Sequence, residues 1–174
     1  MGTMQYQFEF LHCGDHLRSS LNSEIVEVFS AVEAVSWHSE FIINVDEIEF
    51  KHQRGYNKAF EIEFLKLDWE YHPRLSVNPR LIGDFRKNLV FVEIQFGNSA
   101  TLYRDFYKFQ YDLQNGLLSL AVLIVPTTPE EFFPTRLKSV HNMAEYRLAL
   151  RYFTVLSISV PTLIIGLQPK KEFV

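Results

Sequence analysis

The sequence predicts a single α/β domain over residues 1–174, a central mixed β-sheet flanked by α-helices, and three observations carry that prediction. Two apolar runs, "GLLSLAVLIV" and "VPTLIIGL", are bounded by Gly or Pro and read as strands buried on both faces. Amphipathic stretches with helical spacing separate the strand signals. A polar break at Arg86, Lys87 and Asn88 divides "LIGDF" from "NLVFVEIQF", which is the pattern of a β-hairpin.

Each element follows in turn. Leu21, Ile25, Val28, Phe29, Val32 and Val35 have helical spacing, with Asn22 or Ser23 as N-cap. "FIINVDEIEF" reads as a strand or an irregular segment, and "KHQRGYN" as a polar loop ending at the N-cap Asn57. A second helix then buries Phe60, Phe64 and Leu67. The prolines of "YHPRLSVNPR" break helix and lead into extended chain. After the hairpin, Leu102, Phe106, Phe109 and Leu113 mark a third helix. The first buried strand follows, then a loop, a fourth helix from about 139 to 153, and the last strand. The sheet is therefore expected to be antiparallel at the hairpin and parallel where helices cross over.

Composition narrows the class. Hydrophobic residues make up 47% of the chain, with 16 Phe and 8 Tyr to fill a core. No apolar run is long enough to span a bilayer, and the start of the chain has no signal-peptide pattern, so no membrane partner is expected. The single Cys13 cannot form an internal disulfide, which predicts a reducing, cytoplasmic setting. "LHCGDH" lacks the paired spacing of a structural zinc site and reads as a loop entering the first helix. Residues 1–63 carry 11 acidic and 4 basic side chains, whereas residues 64–174 carry 10 and 13. The net charge of −4 thus hides a basic half, on which a polyanion could bind.

The hairpin, residues 81–97, holds the chemistry. In "FVEIQFGN", Glu93 and Gln95 are two apart and share one face, while Val92, Ile94 and Phe96 share the other. Pairing of the two strands brings Asp84 near Glu93. Two carboxylates on rigid strands make a hard-oxygen site suited to Mg²⁺. Taken alone, they are equally the solvated face of a wet hairpin.

"GDFRKNLVFVEIQFGN" resembles the active-site hairpin of the PD-(D/E)xK nucleases, in particular the BglII and BstYI group of type II restriction endonucleases. That group has Gln where Lys is usual, in a "VEVQF" or "VEIQF" stretch. Further similarity lies in "YNKAFEIEFLKLDW" and "SVPTLIIGL", so that the resemblance spans residues 57–167 and the helix at 20–35. Gly83 departs from the Pro that names the superfamily.

The resemblance implies a restriction-endonuclease-like fold and Mg²⁺-dependent hydrolysis of double-stranded DNA by a cytoplasmic prokaryotic homodimer. It further implies a palindromic, GATC-containing target, with 5′-phosphates and a 5′ overhang. Asp84 and Glu93 are implied as metal ligands and catalytic residues, with the Ile94 carbonyl as a further ligand. Gln95 would orient the attacking water without supplying charge. Glu24 and Glu27, one turn apart, are candidates for an additional carboxylate, against their reading as an exposed helix face. Arg86, Lys87, Asn98, Arg104 and Lys108 are candidate phosphate contacts. Arg136, Lys138 and Ser139 are candidates for reading base edges. Two alternatives stand beside this reading: a structure-specific repair nuclease, and a DNA-binding protein that has lost catalysis.

Overall fold

The structure is a computed structural model that describes residues 4–136 and 140–169. It begins with β1 (Gln5–Leu11), α1 (Asp15–Ser20) and α2 (Asn22–Ala34). A small hairpin, β2 (Ile42–Val45) and β3 (Ile48–Lys51), leads into α3 (His52–Lys66). Short strands follow: β4 (Glu70–Tyr71), β5 (Arg74–Ser76), β6 (Leu81–Ile82) and β7 (Phe85–Lys87). Then come β8 (Val90–Ile94), α4 (Thr101–Gln114) and β9 (Leu120–Pro126). The chain continues through α5 (Pro129–Phe132), α6 (Tyr146–Val155) and β10 (Thr162–Gln168).

Six strands form the main sheet in the order β1-β10-β9-β8-β7-β4. Strand β9 pairs in parallel with both β8 and β10, and the remaining pairings are antiparallel. This is the expected mixed sheet. Every residue of β9 is buried, as its uninterrupted apolar run requires. One face of the sheet packs Val90, Val92 and Ile94 against α2 and α3, through Val28, Phe60 and Phe64. The opposite face packs Phe91, Leu123 and Ile164 against α4 and α6, through Phe106, Phe109 and Phe153.

Four boundaries differ from expectation. The N-terminal stretch holds a strand that was not expected: "QYQFEFL" alternates polar and aromatic residues and pairs along the edge of β10. "FIINVDEIEF" folds as the β2–β3 hairpin. Helix α3 starts at His52, so Asn57 lies inside it and caps nothing. Gly55 made that stretch look like a loop. Its role is close approach, because a Cβ there would meet the Phe41 ring at 2.8 Å and the Phe41 and Phe50 carbonyls at 3.0 Å. The fourth long helix begins at Tyr146, not near 139. Among the described residues no helix is long and apolar enough to cross a membrane.

Candidate active site

Strands β7 and β8 are joined by a tight turn at Asn88 and Leu89, two residues later than the polar break suggests. Asn88 takes the positive φ of +51° that asparagine tolerates. Phe85 lies opposite Val92 and Lys87 opposite Val90. Directly opposed residues share a face, so these four look toward α2 and α3. Glu93 falls on the other face with Phe91, toward α4. The polar pair on an otherwise apolar strand is thus aimed at one helix.

Asp84 sits in the bend before β7. Its Oδ2 accepts a hydrogen bond from the Ile94 N–H at 2.8 Å, and its own carbonyl accepts from the His72 N–H at 2.9 Å. Burial raises the Asp84 carboxyl above its ordinary range, opposed by the Ile94 N–H and by the charge of Lys108. A cavity of about 90 Å³ opens here, lined by Asn57, Tyr71, His72, Asp84, Phe85 and Ile94. It has room for about three waters. Burial, with Glu61 nearby, pushes the Tyr71 hydroxyl up to about 12, so it stays protonated. A much larger cleft of about 720 Å³, lined by Gln5, Glu131, Glu145 and Arg147 among others, includes none of the hairpin carboxylates. The small cavity is the one that Asp84 lines.

Gly83 explains the missing proline. A Cβ at this position would lie 2.0 Å from the ring of the buried Phe91, and the Gly83 N–H donates to the Pro73 carbonyl at 3.0 Å. Proline would clash and would also lose that bond.

Helix α4 delivers the rest. Asp105, Lys108 and Asp112 are spaced by three and four residues, share one helix face and are all buried. The Lys108 Nζ donates to Glu93 Oε1 at 2.6 Å and lies 3.5 Å from Asp105 Oδ1. Gln95 Nε2 donates to Asp105 Oδ2 at 2.6 Å, and Gln95 Oε1 accepts from the Gly97 N–H at 2.8 Å. Burial drives Glu93 well above its ordinary value, reinforced by the charges of Asp84 and Asp105 and opposed by Lys108. Asp105 is raised mainly by burial, against the bond from Gln95. Asp112 is pushed up to about 6 by burial, and its Oδ1 makes no hydrogen bond among the described residues.

The remaining expected residues divide by sheet face. Glu27 is committed on the α2 side: it accepts from Lys87 Nζ at 2.7 Å and from Trp69 Nε1 at 2.8 Å. Lys87 also donates to the Leu67 carbonyl at 2.8 Å. Neither Glu27 as an extra active-site carboxylate nor Lys87 as a phosphate contact agrees with these bonds. Glu24 accepts from Asn88 Nδ2 at 2.6 Å, at the hairpin tip and away from Glu93. Arg86 pairs with Glu70 at 2.8 Å. Lys108, expected on a phosphate, is buried against Glu93. Arg104 is exposed. Asn98 Oδ1 accepts from the Ala100 N–H at 2.9 Å and stabilises the turn into α4. Arg136 donates to Gln53 Oε1, and Gln53 Nε2 donates to the Phe96 carbonyl just beyond β8. Lys138 and Ser139 lie outside the described residues. Asn57, His72, Asp105 and Asp112 were not anticipated. Asp105 and Asp112 could have been found, since they fall on the buried stripe of α4 beside Phe106, Phe109 and Leu113.

The model of the family described as restriction endonuclease BglII/BglIII matches residues 6–167. The chain belongs to that family. It is a type II site-specific nuclease by that membership. Among solved structures, the chain matches one described as restriction endonuclease BglII complexed with a DNA 16-mer. The two are 17% identical with a TM-score of 0.76, covering 98% of this chain and 79% of the other, which supports the common fold. Comparison with curated proteins returns no match.

Enzymes of this family generally need a divalent metal. The donor chemistry fits one: Asp84, Glu93 and Asp105 are hard-oxygen groups, Asp84 lies close enough to raise the other two, and Asp105 Oδ1 makes no hydrogen bond among the described residues. Among those residues, no three His, Cys, Asp or Glu side chains are arranged as a ready cage. The cation beside Glu93 in this structure is the Lys108 ammonium.

Proposed function

We propose that this endonuclease hydrolyses phosphodiester bonds of double-stranded DNA at a short palindromic site, with Asp84, Glu93 and the Ile94 carbonyl holding Mg²⁺. The observation that carries this reading is the hydrogen bond from the Ile94 N–H to Asp84, which fixes one carboxylate against the strand that carries the other. A bound Mg²⁺ would lower the pKa of a coordinated water and polarise the phosphate. The chain's own residues do the positioning. Asp84 is held by backbone bonds, and Glu93 by its buried strand and by Lys108. Gln95 would position Asp105 through one amide hydrogen and be held by the Gly97 N–H, with a second hydrogen and a second lone pair left to orient the attacking water.

Arg86, Asn98 and Arg104 would meet phosphates, and Arg136, with Lys138 and Ser139, would approach base edges. Cutting both strands of a palindrome calls for a symmetric homodimer. Resemblance to the BglII group points to a GATC-containing site cut to 5′-phosphates and a 5′ overhang.

The uncharged Gln95, where the superfamily usually has Lys, favours one second reading, a DNA-binding protein without cleavage. Incubation with phage DNA and Mg²⁺ separates the two, with Glu93→Gln as control. Discrete fragments that disappear in the variant support the nuclease, and sequencing their ends identifies the site. Tight binding with intact DNA would replace this proposal by the second reading.

A further inference from the structure

Phosphodiester hydrolysis builds negative charge on phosphorus-bound oxygens, and a buried site normally answers it with a fixed positive group. Position 95, directly after β8, holds an amide that carries no charge. Helix α4 holds one that does. Lys108 is 3% exposed, sits 2.6 Å from Glu93 Oε1 and 3.5 Å from Asp105 Oδ1. A buried ion pair whose only role is stability is a poor investment, since two well-packed apolar residues commonly serve as well. Here one ammonium faces two carboxyl groups, with Asp84 near enough to feel its charge.

The ammonium also has a way out. Lys108 lines a cavity of about 200 Å³ together with Arg80, Leu81, Ile82 and Arg104. Arg80 and Arg104 are both exposed, and neither forms an ion pair among the described residues. Two open guanidinium groups thus lie at a cavity that reaches the catalytic cluster through a lysine.

We propose that this cavity seats the scissile phosphodiester and that Lys108, delivered from helix α4, supplies the positive charge that Gln95 cannot. The proposal rests on the nuclease reading above. In the reaction the water oxygen forms a bond to phosphorus and gives up a proton, while the bond from phosphorus to the 3′ oxygen breaks and that oxygen gains a proton. Lys108 contacts a non-bridging oxygen while its negative charge grows. Arg80 and Arg104 hold the diester from the outside. Lys108 is then a catalytic residue, and Gln95 positions it indirectly through Asp105.

The test moves the charge. Full-length Lys108→Gln, Gln95→Lys and the double variant are compared with wild type for single-turnover cleavage of plasmid DNA in Mg²⁺. A labelled duplex in Ca²⁺ gives the salt dependence of binding, and circular dichroism checks folding. Lys108→Gln should cut roughly 100-fold more slowly and lower the slope of log affinity against log salt by about one contact. Gln95→Lys in the Lys108→Gln background should recover at least about tenfold, because the ammonium returns to the same cluster. Cleavage within about threefold of wild type for Lys108→Gln, or an unchanged salt slope in that variant, overturns the proposal. If Lys108→Gln does not fold, Lys108→Gln with Glu93→Gln removes both charges, and its salt slope against that of Glu93→Gln decides the phosphate contact. If wild type leaves DNA intact, the nuclease reading fails, while the slope still reports whether Lys108 meets phosphate.

Discussion

Asp84 is fastened to the strand that carries its partner, its Oδ2 accepting the Ile94 N–H at 2.8 Å. The bond needs an acceptor but no charge. Asp84→Asn can keep it through the amide oxygen and should fold normally. It should cut DNA about 100-fold more slowly or worse, because a neutral oxygen is a weak ligand for a hard cation. Thermal melting beside a plasmid assay checks both halves, and a variant that cuts as well as wild type would remove Asp84 from the mechanism.

Glu27 has the opposite character. It satisfies Lys87 and Trp69 on the α2 side of the sheet. Glu27→Ala strands a half-buried ammonium and an indole N–H, and should cost roughly 1–3 kcal/mol. Urea titration should show the lowered midpoint, while the rate per folded molecule stays near wild type at low temperature. A tenfold loss in that rate would return Glu27 to the active site.

Asp112 ties stability to pH. Its carboxyl ionises near 6 in the folded protein and near 3.8 ordinarily. Between those values the folded state binds more protons than the unfolded state, so Asp112 lowers stability as pH rises, with the full penalty above about pH 6. Asp112→Asn should therefore stabilise the protein by roughly 1–2 kcal/mol at pH 8, with the gain fading toward pH 4. Denaturation at both pH values tests the sign, and a loss at pH 8 would contradict it.

Gly83 should not tolerate even alanine. The added Cβ would sit 2.0 Å and 2.3 Å from two carbons of the buried Phe91 ring. Overpacking of this kind costs roughly 1–3 kcal/mol and displaces the bend that carries Asp84. Gly83→Ala should lose both denaturant resistance and cleavage. Phe91→Leu, which makes room, should restore part of each if the clash is the cause.

The sheet was legible in the sequence because its signals are local. The β9 run, the two-faced β8 and the closing strand β10 each declare their burial by pattern alone. Strand β1 alternates just as clearly, yet Phe8 on it is 49% exposed. Only its pairing with β10, more than 150 residues away, gives the pattern a purpose. The start of α3 was hidden by Gly55, which the sequence presents as a flexible residue and the fold uses for contact. At the site, Asp84, Glu93 and Gln95 could be read from the hairpin, and Asp105 from the stripe of α4, but the pairing of Lys108 with Glu93 could not. Whether a lysine on the next helix reaches phosphate or turns inward is decided by how α4 rolls on the sheet, and composition does not encode that rotation. The same limit applied to Glu27 and Lys87, two separate candidates that in fact satisfy each other.

The hairpin separates its two duties by strand parity. Side chains facing α2 and α3 pack one core, and the face toward α4 sets the buried Phe91 beside Glu93, the carboxylate proposed for the reaction. Mutagenesis should therefore produce two kinds of failure at the neighbouring positions 92 and 93 of β8. Variants at Val92 should lose function by losing soluble protein and be rescued by growth at lower temperature. Glu93→Gln, which keeps an acceptor for Lys108, should accumulate as intact protein that no cooling can make active.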